Sequence, residues 1–307
     1  MPETDNGIVY HYCSLETFKS IIENKCLWLC DVQKSNDSAE CTYFENIMKN
    51  HINYNILLLT SNYNHDDNRD RKIKALQLLK ESLHNSQTER ATIYSCSFSY
   101  NGDQLSQWRG YADDGYGIAI GFSDYFFVRQ LPHGTFNRVL YGQEHANSTC
   151  EKILQKAFLS YEHDKNGEDD PDYTTTFVLN VLEQLDRHNI FFKSDAFIEE
   201  NECRVVMRIA PNRYSALSYD FLLRNPHIDP NDTTLNFSIS TEKYRIAQHT
   251  FSSYIELSFD KIKDLLINSI TLGPKCQADP KDIRQFLRIC GYNTDDIIIK
   301  RSFATYR

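Results

Sequence analysis

The sequence predicts an α+β fold in a single domain, with a β core interrupted by helical insertions. Short stretches rich in β-branched and aromatic residues alternate with stretches of helical spacing, without the regular strand–helix rhythm of a parallel α/β sheet. Two blocks of helical spacing, at about residues 41–90 and 146–190, stand out as insertions. Of the 307 residues, 41% are hydrophobic and 24% are charged, which is enough apolar material for a sizeable core.

The predicted elements follow from local signals along the chain. Residues Gly7 to Cys13 (GIVYHYC) are typical of a strand, and Ser14 then stands at the N-cap position of a helix. A second short strand is predicted from Leu27 to Val32. Further strands are predicted at 92–99, 115–122, 136–142, 202–209, 254–259, 269–272 and 297–301, and further helices at 41–59, 71–83, 103–112, 147–161, 174–189 and 282–290.

Charge and cysteine content exclude several classes of protein. The chain has 33 basic and 42 acidic residues, a net charge of −9, whereas proteins that bind nucleic acid through phosphate neutralisation usually carry the opposite sign. A local basic face is still compatible with this balance. No apolar run approaches the roughly 20 residues of a membrane helix, and the first residues lack a secretory signal, so we expect a cytoplasmic protein with no membrane partner. Nine cysteines without a CxxC pair predict reduced, mostly buried thiols, with no disulfide and no metal site.

Polar residues on a predicted strand form the first candidate cluster. Common cofactor and nucleophile motifs (GxGxxG, GxxxxGK[ST], HExxH and GxSxG) are absent from the sequence. In EENECRVVMRI, alternation places an apolar face opposite a charged one. Periodicity alone favours a solvated sheet edge with cross-strand ion pairs, and a functional face is the alternative. The charged face holds Glu200, Glu202, Arg204 and Arg208, and the apolar face holds Cys203, Val205 and Met207.

Aromatic residues and one histidine form two further candidates. His11 lies on the strand face opposite Tyr10 and Tyr12, and a single histidine in such a strand is more often a hydrogen-bonded core residue than a site residue. Trp108 and Tyr111 are three residues apart and would share a helical face, which is typical of core anchors.

An ordered set of short motifs spans nearly the whole chain from residue 8. Together the motifs resemble a widespread bacterial family of unknown function, whose typical motifs are YHYTS, NDPFE, CFS, MWxxYAxxHxGxxIGF, ExEWR and a terminal SxxPYR. The sequence departs from them at Cys203, where the family has Trp, at Asp114 or Gly115 in place of a His, and in SFATYR, which lacks the Pro. The motifs are YHYCS (10–14), NDSAE (36–40), CSFS (96–99), WRGYADDGYGIAIGF (108–122), VLYG (139–142), FIEENECRVV (197–206), ITLGP (270–274) and RSFATYR (301–307).

The resemblance implies a fold similar to that of the His–Tyr–Glu group of ADP-ribosyltransferases, in which a split, twisted β core clamps NAD. Matched by motif, the ribose-holding His is His11, the nicotinamide-stacking Tyr is Tyr111, and the catalytic Glu is Glu200 or Glu202, with Glu202 preferred. The NAD-binding residues implied in this way are His11, Tyr12, Ser97, Ser99, Trp108, Tyr111 and Arg204.

The function implied by the resemblance is NAD-dependent transfer of ADP-ribose to a macromolecular acceptor, either protein or nucleic acid. Such an enzyme would act as a toxin or an anti-phage defence effector, and a neutralising antitoxin partner would then be expected. NAD is the substrate, and no metal is needed. The alternatives are an NAD glycohydrolase, a non-catalytic module on the same fold that binds a nucleotide or a protein, and an enzyme that modifies or cleaves nucleic acid, which would need a basic groove.

Overall fold

The computed structural model describes residues 7–34, 40–61, 67–85, 92–132, 134–163, 171–209, 236–247 and 250–306. They divide into two compact units. The sheet unit consists of the described residues within 1–35, 91–138 and 199–307, and the helical unit of those within 36–90 and 139–198. The helical unit contains the two segments in which the sequence predicts insertions, while a single domain over 1–307 stays a prediction.

The secondary structure is mixed. The strands are β1 (Ile8–Cys13), β2 (Cys26–Asp31), β3 (Thr92–Ser99), β4 (Ile118–Ser123), β5 (Gly134–Arg138), β6 (Leu140–Tyr141), β7 (Phe192–Lys193), β8 (Glu202–Ile209), β9 (Ser238–Ile239), β10 (Lys243–Ala247), β11 (Thr250–Ser258), β12 (Ile267–Leu272) and β13 (Ile298–Arg301). The helices are α1 (Leu15–Asn24), α2 (Glu40–Ser61), α3 (Asp67–Asn85), α4 (Leu105–Tyr111), α5 (Asp124–Gln130), α6 (Gln143–His163), α7 (Pro171–His188), α8 (Lys263–Leu266) and α9 (Pro280–Ile289).

Eleven strands of the sheet unit form one open, mixed sheet. The main path of neighbouring strands is β10-β11-β2-β3-β1-β4-β12-β13. In addition, β8 pairs with β3, β5 pairs with β8, and β9 pairs with β11. The pair β12–β13 is parallel, whereas β1, β3, β4 and β8 make antiparallel pairs. Strand β3 therefore has three neighbours, and this branch positions the candidate site.

Strand β1 and helix α1 are joined by a capped connection. The Ser14 hydroxyl accepts a hydrogen bond from the backbone N–H of Thr17 at 3.2 Å, which satisfies one of the free donors of the first helical turn. The helix ends at Lys25, whose φ of 50° places it in the left-handed region. Phe18 and Ile22 of α1 are buried in the main core of the sheet unit. The capping pattern therefore confirms the helix start that the sequence predicts.

The two faces of β1 enter different clusters. Val9 and Cys13 belong to the main core, whereas Tyr12 belongs to a small cluster with Trp108 and Ala119. Because side chains alternate along a strand, His11 lies on the side of Val9 and Cys13.

The helical unit has its own core. Helices α2, α3, α6 and α7 bury apolar side chains against one another, and the Phe44 ring stacks on Phe192 with ring centroids 4.4 Å apart. Strands β6 and β7 form a two-stranded parallel pair beside them. The core includes Met48, Leu76, Leu79, Val181 and Leu185.

Most sequence-predicted elements are confirmed, with end points that differ by a few residues. Strands β7, β9 and β10 and helices α5 and α8 are not among the predicted elements. In the NDSAE motif, only Glu40 lies within the described residues, where it begins α2. Eight cysteines in the described part of the chain are free, and six of these are buried. Within the same residues, no helix is long and apolar enough to cross a membrane.

Two glycines near α4 give a matched pair of stability predictions. A Cβ on Gly117 would lie 2.2 Å from the Cys13 carbonyl oxygen, whereas a Cβ on Gly110 would meet nothing within 4 Å. We expect Gly117→Ala to lower the free energy of unfolding by about 1–3 kcal/mol, because backbone atoms must move apart. Gly110→Ala should raise it by up to about 1 kcal/mol, because alanine favours the helix. Urea unfolding of both variants checks this, and equal stabilities would contradict the close approach at Gly117.

Candidate functional site

The sheet is split along one edge of β3. Strand β2 pairs with β3 at Asp31–Tyr94 and Cys30–Ser95, and β1 pairs with it at Tyr10–Ser99. Between these contacts lies Ser97, which is exposed although its strand is in the middle of the sheet. On the opposite edge β3 pairs with β8 along its full length. We name the gap between β1 and β2, centred on Ser97, the split.

His11 fills part of this split. Its Nδ1 is 3.0 Å from the backbone carbonyl oxygen of Ser97, and because a carbonyl oxygen only accepts, Nδ1 donates. In the neutral ring Nε2 is then unprotonated and can accept a hydrogen bond. Burial lowers the pKa of His11 below its ordinary value of 6.5, and the bond to Ser97 offsets only part of this effect. His11 is therefore a neutral, oriented imidazole, with the Cys96 thiol 3.7 Å from Nδ1.

Strand β8 carries a buried ion pair instead of a solvated edge. Arg204 binds both carboxylate oxygens of Glu202, with Nε–Oε1 at 2.6 Å and Nη2–Oε2 at 2.9 Å. The two residues are only 4% and 5% exposed, and β8 lies between β3 and β5. The interpretation of a solvated edge with cross-strand pairs is therefore wrong, because this pair is buried and joins residues of the same strand.

Glu200 lies outside strand β8, next to Tyr111. The strand begins at Glu202, and Asn201 has a φ of 43°, so the alternation that would place Glu200 on the same face does not extend to it. The backbone carbonyl of Glu200 accepts a hydrogen bond from the Ser99 hydroxyl at 2.7 Å. Its carboxylate Oε1 accepts one from the Tyr111 hydroxyl at 2.9 Å. Residues that are 89 positions apart thus place a phenol and a carboxylate side by side.

Trp108 and Tyr111 differ sharply in exposure, although the sequence predicts that both face the core. Trp108 is fully buried, whereas Tyr111 is 54% exposed. The Trp108 ring packs edge-on against Tyr12 with centroids 4.8 Å apart, and its Nε1 donates to Asp103 at 2.8 Å. The interpretation of core anchors is therefore confirmed for Trp108 and wrong for Tyr111.

Tyr12 binds the backbone of the segment that precedes α4. It is 6% exposed, and its hydroxyl donates to the carbonyl of Asn101 at 2.7 Å and accepts from the backbone N–H of Gln104 at 3.1 Å. Burial raises its pKa well above the ordinary value of 10.0. Tyr12 and Trp108 thus have little surface left for a ligand, and both hold the segment that leads into α4.

The remaining predicted residues lie in neighbouring positions across β1, β3 and β8. Ser97 is directly opposite Arg204, and Ser99 is opposite both Glu202 and Tyr10. The structure thus brings together two pairs within the sheet unit, His11 with the Ser97 carbonyl and Tyr111 with Glu200. An exposed aromatic ring can stack on a planar ring, and an accessible carboxylate can stabilise positive charge. A neutral imidazole can bind a hydroxyl.

The sequence assigns no role to four residues that matter for this region. Asp103 and Asp114 flank α4, and both contact the segment 302–306, as does Lys275. The motifs ITLGP and SFATYR lie beside or contain two of these residues and could have drawn attention to them. A short motif, however, does not indicate which distant segment it contacts. The fourth residue, Tyr306, lies in that terminal motif.

Among the residues that the structure describes, no group of three or more His, Cys, Asp or Glu side chains is placed to hold a metal ion.

One segment of the chain matches a family of known sequences. Residues 107–205 match a family described as "Protein of unknown function (DUF2971)". The match covers less than half of the chain and includes Tyr111, Glu200, Glu202 and Arg204, whereas His11 lies outside it. Searches of curated proteins and of solved structures found no match. Over this segment the chain is therefore similar to an uncharacterised family.

His11 makes stability depend on pH in a direction that its environment fixes. The unfolded chain takes up a proton at His11 near pH 6.5, whereas the folded state does so only at lower pH. This contribution to the free energy of unfolding is therefore complete above pH 6.5 and is lost as the pH falls through the folded-state pKa. We expect His11→Asn, which keeps a donor near the Nδ1 position but does not titrate, to lose less stability than wild type between about pH 7 and 5. Urea unfolding at pH 7 and at pH 5 measures this. Equal losses of unfolding free energy in the variant and the wild type would contradict the prediction.

The Glu202–Arg204 pair predicts a large and partly reversible loss of stability. Glu202→Gln leaves a buried guanidinium without its carboxylate, and we expect the free energy of unfolding to fall by about 3 kcal/mol. The double variant Glu202→Gln/Arg204→Met removes the uncompensated charge and should recover at least about half of that loss. Urea unfolding of the wild type, both single variants and the double variant measures the coupling. An unchanged stability of Glu202→Gln would show that the pair is unimportant.

Proposed function

We propose that the protein is an NAD-dependent ADP-ribosyltransferase, in which Tyr111 and Glu200 act on the nicotinamide riboside part of NAD. The observation that carries the proposal is the 2.9 Å hydrogen bond between the Tyr111 hydroxyl and Glu200 Oε1. The similarity to the His–Tyr–Glu group, which the resemblance of the ordered motifs implies, assigns a Tyr and a Glu to neighbouring roles.

The exposure of the two residues supports contact with a ligand. Tyr111 is 54% exposed and Glu200 is half-buried, so both can reach a bound molecule. The Tyr111 ring offers a face on which the nicotinamide ring can stack, at a typical gain of about 1 kcal/mol beyond area burial.

The chemistry needs one carboxylate close to the reacting carbon. The bond between ribose C1′ and the nicotinamide nitrogen breaks, its electron pair leaves with nicotinamide, and C1′ passes through an oxocarbenium-like state. A carboxylate next to C1′ stabilises the positive charge. The acceptor nucleophile then forms a bond to C1′, and its proton passes to Glu200 as general base.

We assign this carboxylate to Glu200 instead of the preferred Glu202. Both oxygens of Glu202 are bound by Arg204 in a buried pair, so Glu202 would have to break that pair to approach a ribose. Glu200 is only half-buried, and its Oε1 already lies 2.9 Å from the Tyr111 hydroxyl.

The geometry of His11 supports a binding role. Its Nδ1 is oriented by the Ser97 carbonyl, which leaves Nε2 as an acceptor for a ribose hydroxyl. The exposed Ser97 side chain lies in the same split and offers a second polar contact. Tyr12, Ser99, Trp108 and Arg204, which the resemblance assigns to NAD binding, fit supporting positions better because each is at most 6% exposed.

The second candidate function is a non-catalytic nucleotide- or protein-binding module on the same fold. The observation that favours it is the buried Glu202–Arg204 ion pair, which occupies the carboxylate first expected to act.

The two enzymatic candidates differ in the acceptor of ADP-ribose. For a transferase the acceptor is a protein or nucleic acid, and for a glycohydrolase it is water.

Release of nicotinamide from NAD by the purified protein, with and without cell lysate as a source of acceptors, tests the proposal. We expect Glu200→Gln to lower the rate by at least about 100-fold, because it removes both charge stabilisation and the base. Tyr111→Phe keeps the stacking face and should lose about 3- to 10-fold. Glu199→Gln is the matched control, since the neighbouring Glu199 is exposed, and it should keep the wild-type rate.

Calorimetric titration with NAD distinguishes the candidates. Binding without release of nicotinamide would favour the binding module, and neither binding nor release would exclude NAD as the substrate. Equal losses for Glu199→Gln and Glu200→Gln would contradict the assignment of Glu200.

A further inference from the structure

The segment Ser302–Tyr306, named the strap here, runs back from the last strand to the region of α4. It is fixed at its start, where the Ser302 backbone N–H donates to the Leu272 carbonyl of β12 at 2.8 Å. From there it contacts residues before and after α4.

The first contact is to Asp103, which precedes α4. Asp103 Oδ1 accepts hydrogen bonds from the Ser302 hydroxyl at 2.5 Å and from Trp108 Nε1 at 2.8 Å. Asp103 Oδ2 accepts from the backbone N–H of Phe303 at 2.7 Å. One carboxylate therefore joins the strap to the start of the α4 segment and to its buried tryptophan.

The second contact is to Asp114, which follows α4. Its Oδ1 accepts from the Tyr306 hydroxyl at 2.7 Å and its Oδ2 from Lys275 Nζ at 2.8 Å. These bonds, that of Lys275 foremost, lower the pKa of Asp114 below its ordinary value. The backbone of Asp114 has a φ of 50°, an unfavourable left-handed conformation for a residue other than glycine, which its contacts hold in place.

Two cations lie close to the Tyr306 ring. The Arg109 guanidinium lies 4.5 Å from the ring centroid and Lys275 Nζ lies 3.9 Å from it. Arg109 is on α4 itself, two residues before Tyr111, so the strap touches the helix as well as both of its flanks.

Tyr111 lies between these anchors. More than half of its side chain is exposed, so the position of its ring follows from where α4 and the flanking turns are held. Its hydroxyl bond to Glu200 keeps the ring in the place where it stacks on the nicotinamide, so a displacement of α4 weakens the binding of NAD.

We propose that the strap is a positioning element of the candidate site, in which Asp103 and Asp114 fix α4 through Ser302 and Tyr306 so that Tyr111 meets Glu200. This deepens the proposed function, on which its kinetic part rests. Because Tyr111 binds the nicotinamide ring and does not react, loss of the strap raises KM for NAD. A segment that only stabilised the fold would reduce the amount of active protein, which lowers apparent kcat and leaves KM unchanged.

The experiment compares the wild type, deletion of residues 302–307, Ser302→Ala and Ser302→Thr, and Tyr306→Phe. Tyr306→Phe keeps the ring near the two cations and removes the hydroxyl bond to Asp114. Thr305→Ala changes an exposed side chain of the strap and is the matched control. Circular dichroism and thermal unfolding establish that each variant is folded.

Amide hydrogen exchange over residues 103–116 tests the anchor without any need for activity. We expect the deletion to accelerate exchange there by at least about tenfold while β12 stays protected, because local opening no longer breaks the bonds to Asp103 and Asp114. Tyr306→Phe should accelerate exchange mainly around Asp114. Unchanged exchange in the folded deletion variant would overturn the proposal.

Nicotinamide release then gives the kinetic part. KM for NAD should rise about tenfold in the deletion variant with kcat within about threefold of wild type. Ser302→Ala should also raise KM, whereas Ser302→Thr keeps the hydroxyl and should have the wild-type KM. A fall in kcat at constant KM would overturn the positioning role. If the wild type releases no nicotinamide, the proposed function fails, whereas the exchange result still decides whether the strap holds α4.

Discussion

Strand β3 pairs with β8 over its whole length, whereas its other edge is shared between β1 and β2. Backbone groups of a central strand are normally satisfied by a neighbouring strand. At the split, the Ser97 carbonyl is satisfied by the imidazole of His11 instead. A side chain thus takes the place of a neighbouring strand, and the sheet opens at Ser97 while its carbonyl keeps a hydrogen-bond partner. The exposure of Ser97 and the tautomer of His11 both follow from it.

Two carboxylates separated by one residue have different environments because the strand begins between them. Glu202 is the first residue of β8 and is directed into a buried pair with Arg204, while Glu200 lies before the strand beyond a left-handed Asn201. Burial of a charged pair is costly unless both partners are satisfied, and the bidentate geometry meets that requirement. The backbone conformation of one residue therefore separates a structural carboxylate from an accessible one.

Sequence patterns predicted the local features well and the long-range ones poorly. The capped helix after Ser14, the strand from Glu202 to Ile209 and the helix that opens at Pro280 follow from short-range signals, and the structure confirms them. Alternation predicted that His11 and Tyr12 face opposite sides of the sheet. Alternation also predicts Glu200 on the charged strand face, which is wrong because the strand begins at Glu202. Helical spacing predicts that Trp108 and Tyr111 are both buried, whereas only Trp108 is. Exposure of one turn of α4 depends on what packs over it, which no local pattern contains.

The contacts of the strap join residues that are about 200 positions apart in the chain, 200 for Phe303 with Asp103 and 192 for Tyr306 with Asp114. Contacts of such long range close large loops and tend to form after local structure during folding. The β2–β11 pair of the sheet has an equally long range, since Cys26 is opposite Ser258. The strap contacts and the sheet therefore belong to one class of late-forming contacts, and α4 acquires its final surroundings together with the sheet.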